Sequence, residues 1–316
     1  MTHDRVHSEY GHELLVHHDD DELVEGTRTF VRQGLASSGH VVVHGPTDRV
    51  DAMRKVLGVH PRLTYGLEED AYLAPTRALF GYQKLLAESP DPTVFWVTGP
   101  VPLGDDAAAR GAWARYESAV DEALCAYPFR ALCTYDTRTC PPSVISAAKA
   151  THATISDGVT SRANPEYVDP SAFLTHPLAQ APGPPSSPPS VDTSLMKLDE
   201  LARTRHLLRA SARSSSAASR HSFHAFLVAV HEVVVNGLVH GRPPVTVRLW
   251  AELGTLTCQV VDSGPGLPDP MAGYHRPDLS GSRGLWVARQ FVDDLLIGPA
   301  PEGGCSVLLT RTDPGT

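Results

Sequence analysis

Between Pro165 and Pro189, eight of 25 residues are proline, and no other feature of the sequence limits the fold as much. Proline fixes φ and lacks an N–H. The densest part, Ala181-Pro-Gly-Pro-Pro-Ser-Ser-Pro-Pro189, therefore cannot run through a helix or a central strand. The stretch predicts an extended, semi-rigid linker over 159–190 between two bodies. The 316-residue length agrees, since at roughly 150 residues per domain each side can bury its own core.

Charge divides at the same place. Up to residue 190 there are 15 Lys and Arg against 24 Asp and Glu, and after it 12 of each, so the whole net charge of −9 sits in the first part. Neither part has the cationic excess that counterion release from DNA or RNA rewards, so direct nucleic-acid binding is not expected. No apolar run approaches the roughly 20 residues of a bilayer-spanning helix, so no membrane association is expected either. The start, Met1-Thr-His-Asp-Arg-Val-His7, is too polar for a secretory signal. Five cysteines without a CxxC pair do not make a disulfide scaffold. The expectation is a cytoplasmic protein.

Before the linker, β-branched runs at 13–16, 40–44, 62–65, 93–98 and 130–135 alternate with amphipathic stretches at 20–36, 48–57, 74–87, 105–126 and 143–152. That alternation predicts right-handed βαβ crossovers, a mostly parallel sheet and a three-layer domain. Ligands of such sheets gather at the carboxyl ends of the strands. Around those ends His17, His44, Cys133, Tyr135 and Asp136 are candidates for a sensory pocket, with His18, Thr98 and Gly99 near them. His17-His-Asp-Asp-Asp21 has two readings, a metal cluster or a capped helix N-terminus, and the second suits adjacent acids better. Cys133 and Cys140, with Cys125 nearby, are either a redox group or buried, inert thiols.

After the linker the order changes. Helices are expected around Leu198–Leu208 and over 222–240, then a hairpin of strands 245–251 and 255–261, a helix near 284–293, and strands 294–297 and 305–311. Helices on one side of a largely antiparallel sheet make an α/β sandwich. Three of its segments carry chemistry. Glu232 and Asn236, four residues apart, stack on one helix face, and His240 follows one turn later. A carboxylate there can take a proton, and an amide oxygen can ligate Mg²⁺. Alone, the trio also fits a solvated helix face. Asp262-Ser-Gly-Pro-Gly266 leaves a strand through two glycines, which suits recognition of a base amine by carboxylate, or else an ordinary turn. Gly281-Ser-Arg-Gly284 opens a helix whose amides suit phosphate.

In this order and spacing, the three segments resemble the ATP site of the GHKL superfamily. Ser280-Gly-Ser-Arg-Gly-Leu-Trp-Val-Ala-Arg-Gln290 is similar to the glycine box of the bacterial anti-sigma-factor serine kinases, the RsbW and SpoIIAB type. The resemblance covers about 191–316 and implies a Bergerat fold binding ATP with Mg²⁺. It makes Glu232 the general base for a substrate hydroxyl and Asn236 the Mg²⁺ ligand. Asp262 becomes the partner of the adenine amine, and Gly264 and Gly266 the hinges of a lid over 267–280. Arg283 and Gly284 would meet the phosphates, Ser306 would lie near adenine, and His240 matches a His frequent in this box. It further implies a sigma factor and an anti-anti-sigma STAS-domain protein as partners, and a homodimer. A non-catalytic partner-switching adaptor and a histidine-kinase-like sensor are the alternatives. The lid carries no Lys, leaving Arg276 and Arg283 as its cations.

The first part resembles the MEDS sensory domain over about 10–158. Gly11-His-Glu-Leu-Leu-Val16, Phe30-Val-Arg-Gln-Gly-Leu35, Leu132-Cys-Thr-Tyr-Asp136 and Ala148-Lys-Ala-Thr-His152 carry the likeness. It implies a RecA-like fold that senses an unidentified small molecule or redox state. The phosphate-wrapping Gly-x-x-x-x-Gly-Lys-Ser/Thr of RecA-like ATPases is replaced by His17-His-Asp-Asp-Asp-Glu22, so ATP is not expected there.

Overall fold

Strand β1 (Gly11–His17) alternates faces and pairs in parallel with β5 (Phe129–Asp136), Leu14 opposite Cys133 and His17 opposite Asp136. This computed structural model describes residues 10–66, 74–88, 94–101, 103, 106–175, 183–215, 219–252, 254–267, 269–275 and 283–312. Two units form, Met1–Leu73 with Ala78–Gln180, and Ala181–Thr316 with Ala74–Arg77.

The first unit adds α1 (Asp20–Ala36), β2 (His40–Val43), α2 (Thr47–Leu57), β3 (Leu63–Tyr65), α3 (Pro75–Glu88), β4 (Phe95–Pro100), α4 (Ala107–Leu124), α5 (Pro142–Thr151), β6 (Thr154–Ser156), β7 (Ser161–Ala163) and α6 (Pro170–Phe173). The sheet order is β3-β2-β4-β5-β1-β6-β7, parallel except for the β6–β7 pair. Alternation along its strands sends one set of side chains to each layer. Leu15, Val41, Val43 and Leu132 pack with Phe30 and Val31 of α1 and Met53 of α2 on one face. This is the three-layer domain that the alternating pattern predicts, RecA-like as the resemblance implies.

Asp19 caps α1 by accepting from the Glu22 amide at 2.9 Å, and Glu22 Oε2 accepts from the His18 amide at 2.7 Å. The acidic run is therefore a helix start. Strands β6 and β7, three residues each, are too short to show alternation in sequence. The first unit also extends past residue 158, into what reads as linker. Pro170 starts a short helix capped by Asp169, and Phe173 is fully buried against Ala114, Ala147 and Ala150. Proline is well placed at a first helical turn, so Pro170 marks structure rather than linker.

The second unit is a five-stranded sheet, β11-β12-β10-β9-β8, with every pairing antiparallel. Its elements are β8 (Val191–Leu195), a 3₁₀ turn (Leu198–Glu200), α7 (Leu201–Ser215), α8 (Arg220–Val239), β9 (Val245–Glu252), β10 (Thr255–Asp262), α9 (Gly284–Gln290), β11 (Asp294–Pro299) and β12 (Cys305–Thr312). Edge strand β8, half polar, lies where the sequence shows only the end of the linker. Helix α8 corrects one expectation. With a mean hydropathy of 1.5 it is long and apolar enough, by length and composition, to cross a bilayer. One stripe of it, with Phe226, Val230, Val233 and Val234, is instead buried in the core formed with β9, β10 and β12. The sandwich is the Bergerat arrangement expected.

Candidate functional site

Helix α8 reaches the end of β10 because it carries glycine there. A Cβ on Gly237 would stand 3.2 Å from Val245, and one on Gly241 would lie 2.5 Å from the Asp262 carboxyl carbon. Asn236 closes the helix, its carbonyl accepting from the amides of His240 at 2.8 Å and Gly241 at 3.2 Å. Asp262 thus comes to rest against the last turn of α8, buried, with Oδ1 accepting from the Gly264 amide at 2.7 Å. That bond stiffens the turn and involves Oδ1 alone, so Oδ2 could accept from an amine. Gly266, at φ 84°, continues the turn in the left-handed region that glycine adopts without strain.

The third segment meets the first. A Cβ on Gly284 would be 3.1 Å from both side-chain atoms of the Asn236 amide and 3.1 Å from Glu232 Oε2. Glycine lets α9 start this close without pressing on either side chain, so Glu232, Asn236 and Gly284 occupy one place. Beside them a cavity of about 70 Å³ is lined by Asn236, His240, Asp262, Gly266, Leu267 and Cys305, among others. Arg283 precedes α9 and is exposed. Within the same motif, buried Arg289 has another task. It donates to the Ala272 and Leu295 carbonyls and lies 3.8 Å over the Tyr274 ring, pinning the segment that follows the Asp262 turn. Residues 268 and 276–282, which include Arg276 and part of the expected lid, lie outside the described residues.

Ser306 requires a correction. It pairs with Val261, and its hydroxyl accepts from Gln259 at 3.1 Å on the sheet face away from the cavity. Alternation puts its neighbour Cys305, opposite Asp262, on the cavity side. Burial, then the Asp262 charge, push the Cys305 thiol up to about 11. Gly237, Gly241 and Cys305 were not singled out in the sequence. The i, i+4 glycine spacing on the Asn236 face was the signal available for two of them.

In the first unit the five pocket candidates separate, again by alternation. His17 and Asp136 end their strands on the α1–α2 face. Asp136 is held by a two-pronged Arg138 guanidinium, at 2.9 and 2.8 Å, and by Arg49 at 3.0 Å. Hydrogen bonding to Arg138 holds its carboxyl well below the usual range. Burial lowers His17. Cys133, Tyr135 and His44 lie on the opposite face, toward α4 and α5. There His44 and Cys133 share a small cavity with His12 and Glu117, and Tyr135 lines a second cavity of about 180 Å³ that Glu117 also walls. That second cavity is largely apolar, with Val101, Leu103, Trp113 and Val144 on its surface.

Four residues converge between them: His12 of β1, Glu117 of α4, Cys133 of β5 and His152 just past α5. Glu117 Oε2 is 3.1 Å from Nε2 of each histidine, and Cys133 Sγ is 3.5 Å from His12 Nε2. Burial opposes charge on both Glu117 and His12. The two histidines that face it, His12 first, nevertheless hold Glu117 at about 2, while Cys133, Asp121 and Glu117 together raise His12. Burial lowers His152, takes His44 to about 4 and pushes Cys133 up to about 12. All five cysteines are free, and a thiol so raised is a poor nucleophile. Only Cys133 of the four was a candidate from sequence, because Glu117 sits mid-helix, 105 residues from His12, with nothing local to mark it.

The chain thus joins a RecA-like domain to a Bergerat sandwich. Residues 11–153 match the family described as MEDS, the MEthanogen/methylotroph, DcmR Sensory domain, and residues 196–310 match the histidine kinase-like ATPase domain. The chain therefore carries a MEDS domain followed by a GHKL-like ATPase domain. No curated protein matches it. Among solved structures it is similar to the histidine kinase domain from Erythrobacter litoralis EL346 blue-light activated histidine kinase. That match has 19% identity and a TM-score of 0.25, over 34% of this chain and 59% of that one.

Proposed function

We propose that this chain is a cytoplasmic anti-sigma regulator with ATP-dependent serine kinase activity, controlled by its MEDS domain. The supporting observation is the meeting of Glu232, Asn236 and Gly284 beside a cavity that Asp262 closes. The donor set fits Mg²⁺-ATP. An amide oxygen suits a hard cation, a buried carboxylate suits an adenine amine, and a helix start without a side chain suits phosphate. Mg²⁺-ATP would supply an activated phosphoryl group. Asn236 would hold the cation, and Asp262 Oδ2 would accept from the base. Glu232 would take the proton from a serine hydroxyl of a STAS-domain antagonist. His240 walls the same cavity. The sigma factor, the antagonist and a homodimer follow from the family likeness.

The first domain would take the signal. Its apolar 180 Å³ cavity favours a small molecule, and the raised Cys133 thiol disfavours a thiol redox switch. Any coupling must come from different affinities for two states of the chain.

The test is phosphate transfer from labelled ATP to STAS-domain proteins of the same cell. Wild type is expected to label a serine, whereas Glu232→Ala keeps sigma binding and loses the label. Partner binding without any label supports the adaptor reading, which the Lys-free lid favours. Acid-labile label on the chain itself would support the histidine-kinase-like reading instead.

A further inference from the structure

We propose that the first domain holds one zinc-class divalent transition-metal ion on His12 Nε2, Glu117 Oε2, Cys133 Sγ and His152 Nε2. One donor atom from each of the four residues lies within 4.8 Å of the others. Around a tetrahedral ion with bonds of roughly 2.0–2.3 Å, neighbouring donors stand about 3.3–3.7 Å apart. The separations of 3.1, 3.1 and 3.5 Å need only small adjustments to meet that.

The outer contacts aim the donors. His12 Nδ1 is 3.0 Å from Asp121 Oδ1, and Asp121 is held in turn by the hydroxyls of Tyr10 at 2.7 Å and Tyr167 at 3.1 Å. His152 Nδ1 is 2.7 Å from the Ala148 carbonyl. That carbonyl can only accept, so Nδ1 of His152 carries a proton, and in the neutral ring the lone pair of Nε2 then points inward. A carboxylate or a carbonyl on the far nitrogen is the usual support of a metal-bound histidine.

The centre is otherwise unbalanced. His152 is fully buried and, among the described residues, its Nε2 has no hydrogen-bond partner, although Glu117 Oε2 faces it at 3.1 Å. A carboxylate opposite an imidazole lone pair in a dry site is repulsive, and a cation between them removes the conflict. With a thiolate, a carboxylate and two neutral imidazoles, a divalent ion makes the cluster neutral. The mixed sulfur, nitrogen and oxygen set favours zinc, cobalt or iron over magnesium or calcium, which take six or more oxygens. Glu117 also walls the 180 Å³ cavity, so a molecule bound there would lie next to the ion.

The experiment titrates Co²⁺ into the chelator-stripped full chain and follows the visible spectrum. One equivalent per chain is expected, with tetrahedral d–d bands and a near-ultraviolet thiolate charge-transfer band, both bleached by Zn²⁺. Cys133→Ser should lose the charge-transfer band. His152→Gln should weaken binding at least 10-fold, as should Asp121→Asn, which touches no ion. Cys125→Ser should behave as wild type. No bands with wild type, as a purely protonated histidine network would give, overturns the site. So do bands unchanged in Cys133→Ser. Should a variant lose its far-ultraviolet dichroism, X-ray absorption on the wild-type cobalt or zinc form decides. One sulfur near 2.3 Å among lighter ligands supports the site, and no sulfur overturns it.

Discussion

Asp136 shows how far one side chain can be read. Its position at the end of a strand was legible in the sequence; its partners, 87 residues away on α2 and two residues on in the turn, were not. Because its folded pKa lies below the ordinary 3.8, its ion pairs stabilise fully above that pH. The contribution fades as pH falls through the folded value. Asp136→Asn is expected to lower the first domain's unfolding midpoint by roughly 3–8 °C at pH 7. The gap to wild type should narrow progressively as pH falls below about 4, and a gap unchanged at pH 2 would refute this account. Ser306 and Cys305 make the opposite lesson. The hydroxyl looked like the better adenine neighbour, but a strand shows only alternate residues to one face. Which of the two it shows is set by pairing with β10, and that pairing is not written locally.

Helices proved the most legible elements because their periodicity spans many residues. The run over 20–36 predicted α1 to the residue, and α8 began two residues earlier than its apolar stripe. The three-residue strands β6 and β7 and the polar edge strand β8 were hidden, for they draw their pairing from neighbours rather than from their own composition. Helix α8 carries both the core and the site, with Phe226 fully buried on one side and Asn236 on the other. Phe226→Ala should destabilise the second domain by about 3–5 kcal/mol. Calorimetric scans should show its transition falling while that of the MEDS domain stays put. A shift below about 1 kcal/mol would mean α8 is not packed as described.

For the whole molecule, the proline run marked the division between two bodies, and the charge asymmetry agreed with it. The N-terminal boundary was off because Pro170 and Phe173 belong to the first core. The nucleotide site was legible as three segments because each keeps a local pattern, a helix face, a double-glycine turn and a glycine-led helix. The His12–Glu117–Cys133–His152 cluster was not, since its members come from four elements without such a pattern. Everything proposed for the second domain requires the three segments to act together on one nucleotide. Titration calorimetry of the full chain with ADP and Mg²⁺ tests this most directly. The account predicts saturable heat at one nucleotide per chain, and a roughly 10- to 100-fold loss of affinity in Asp262→Asn. No heat with wild type at millimolar nucleotide, or equal affinity in the variant, would contradict it.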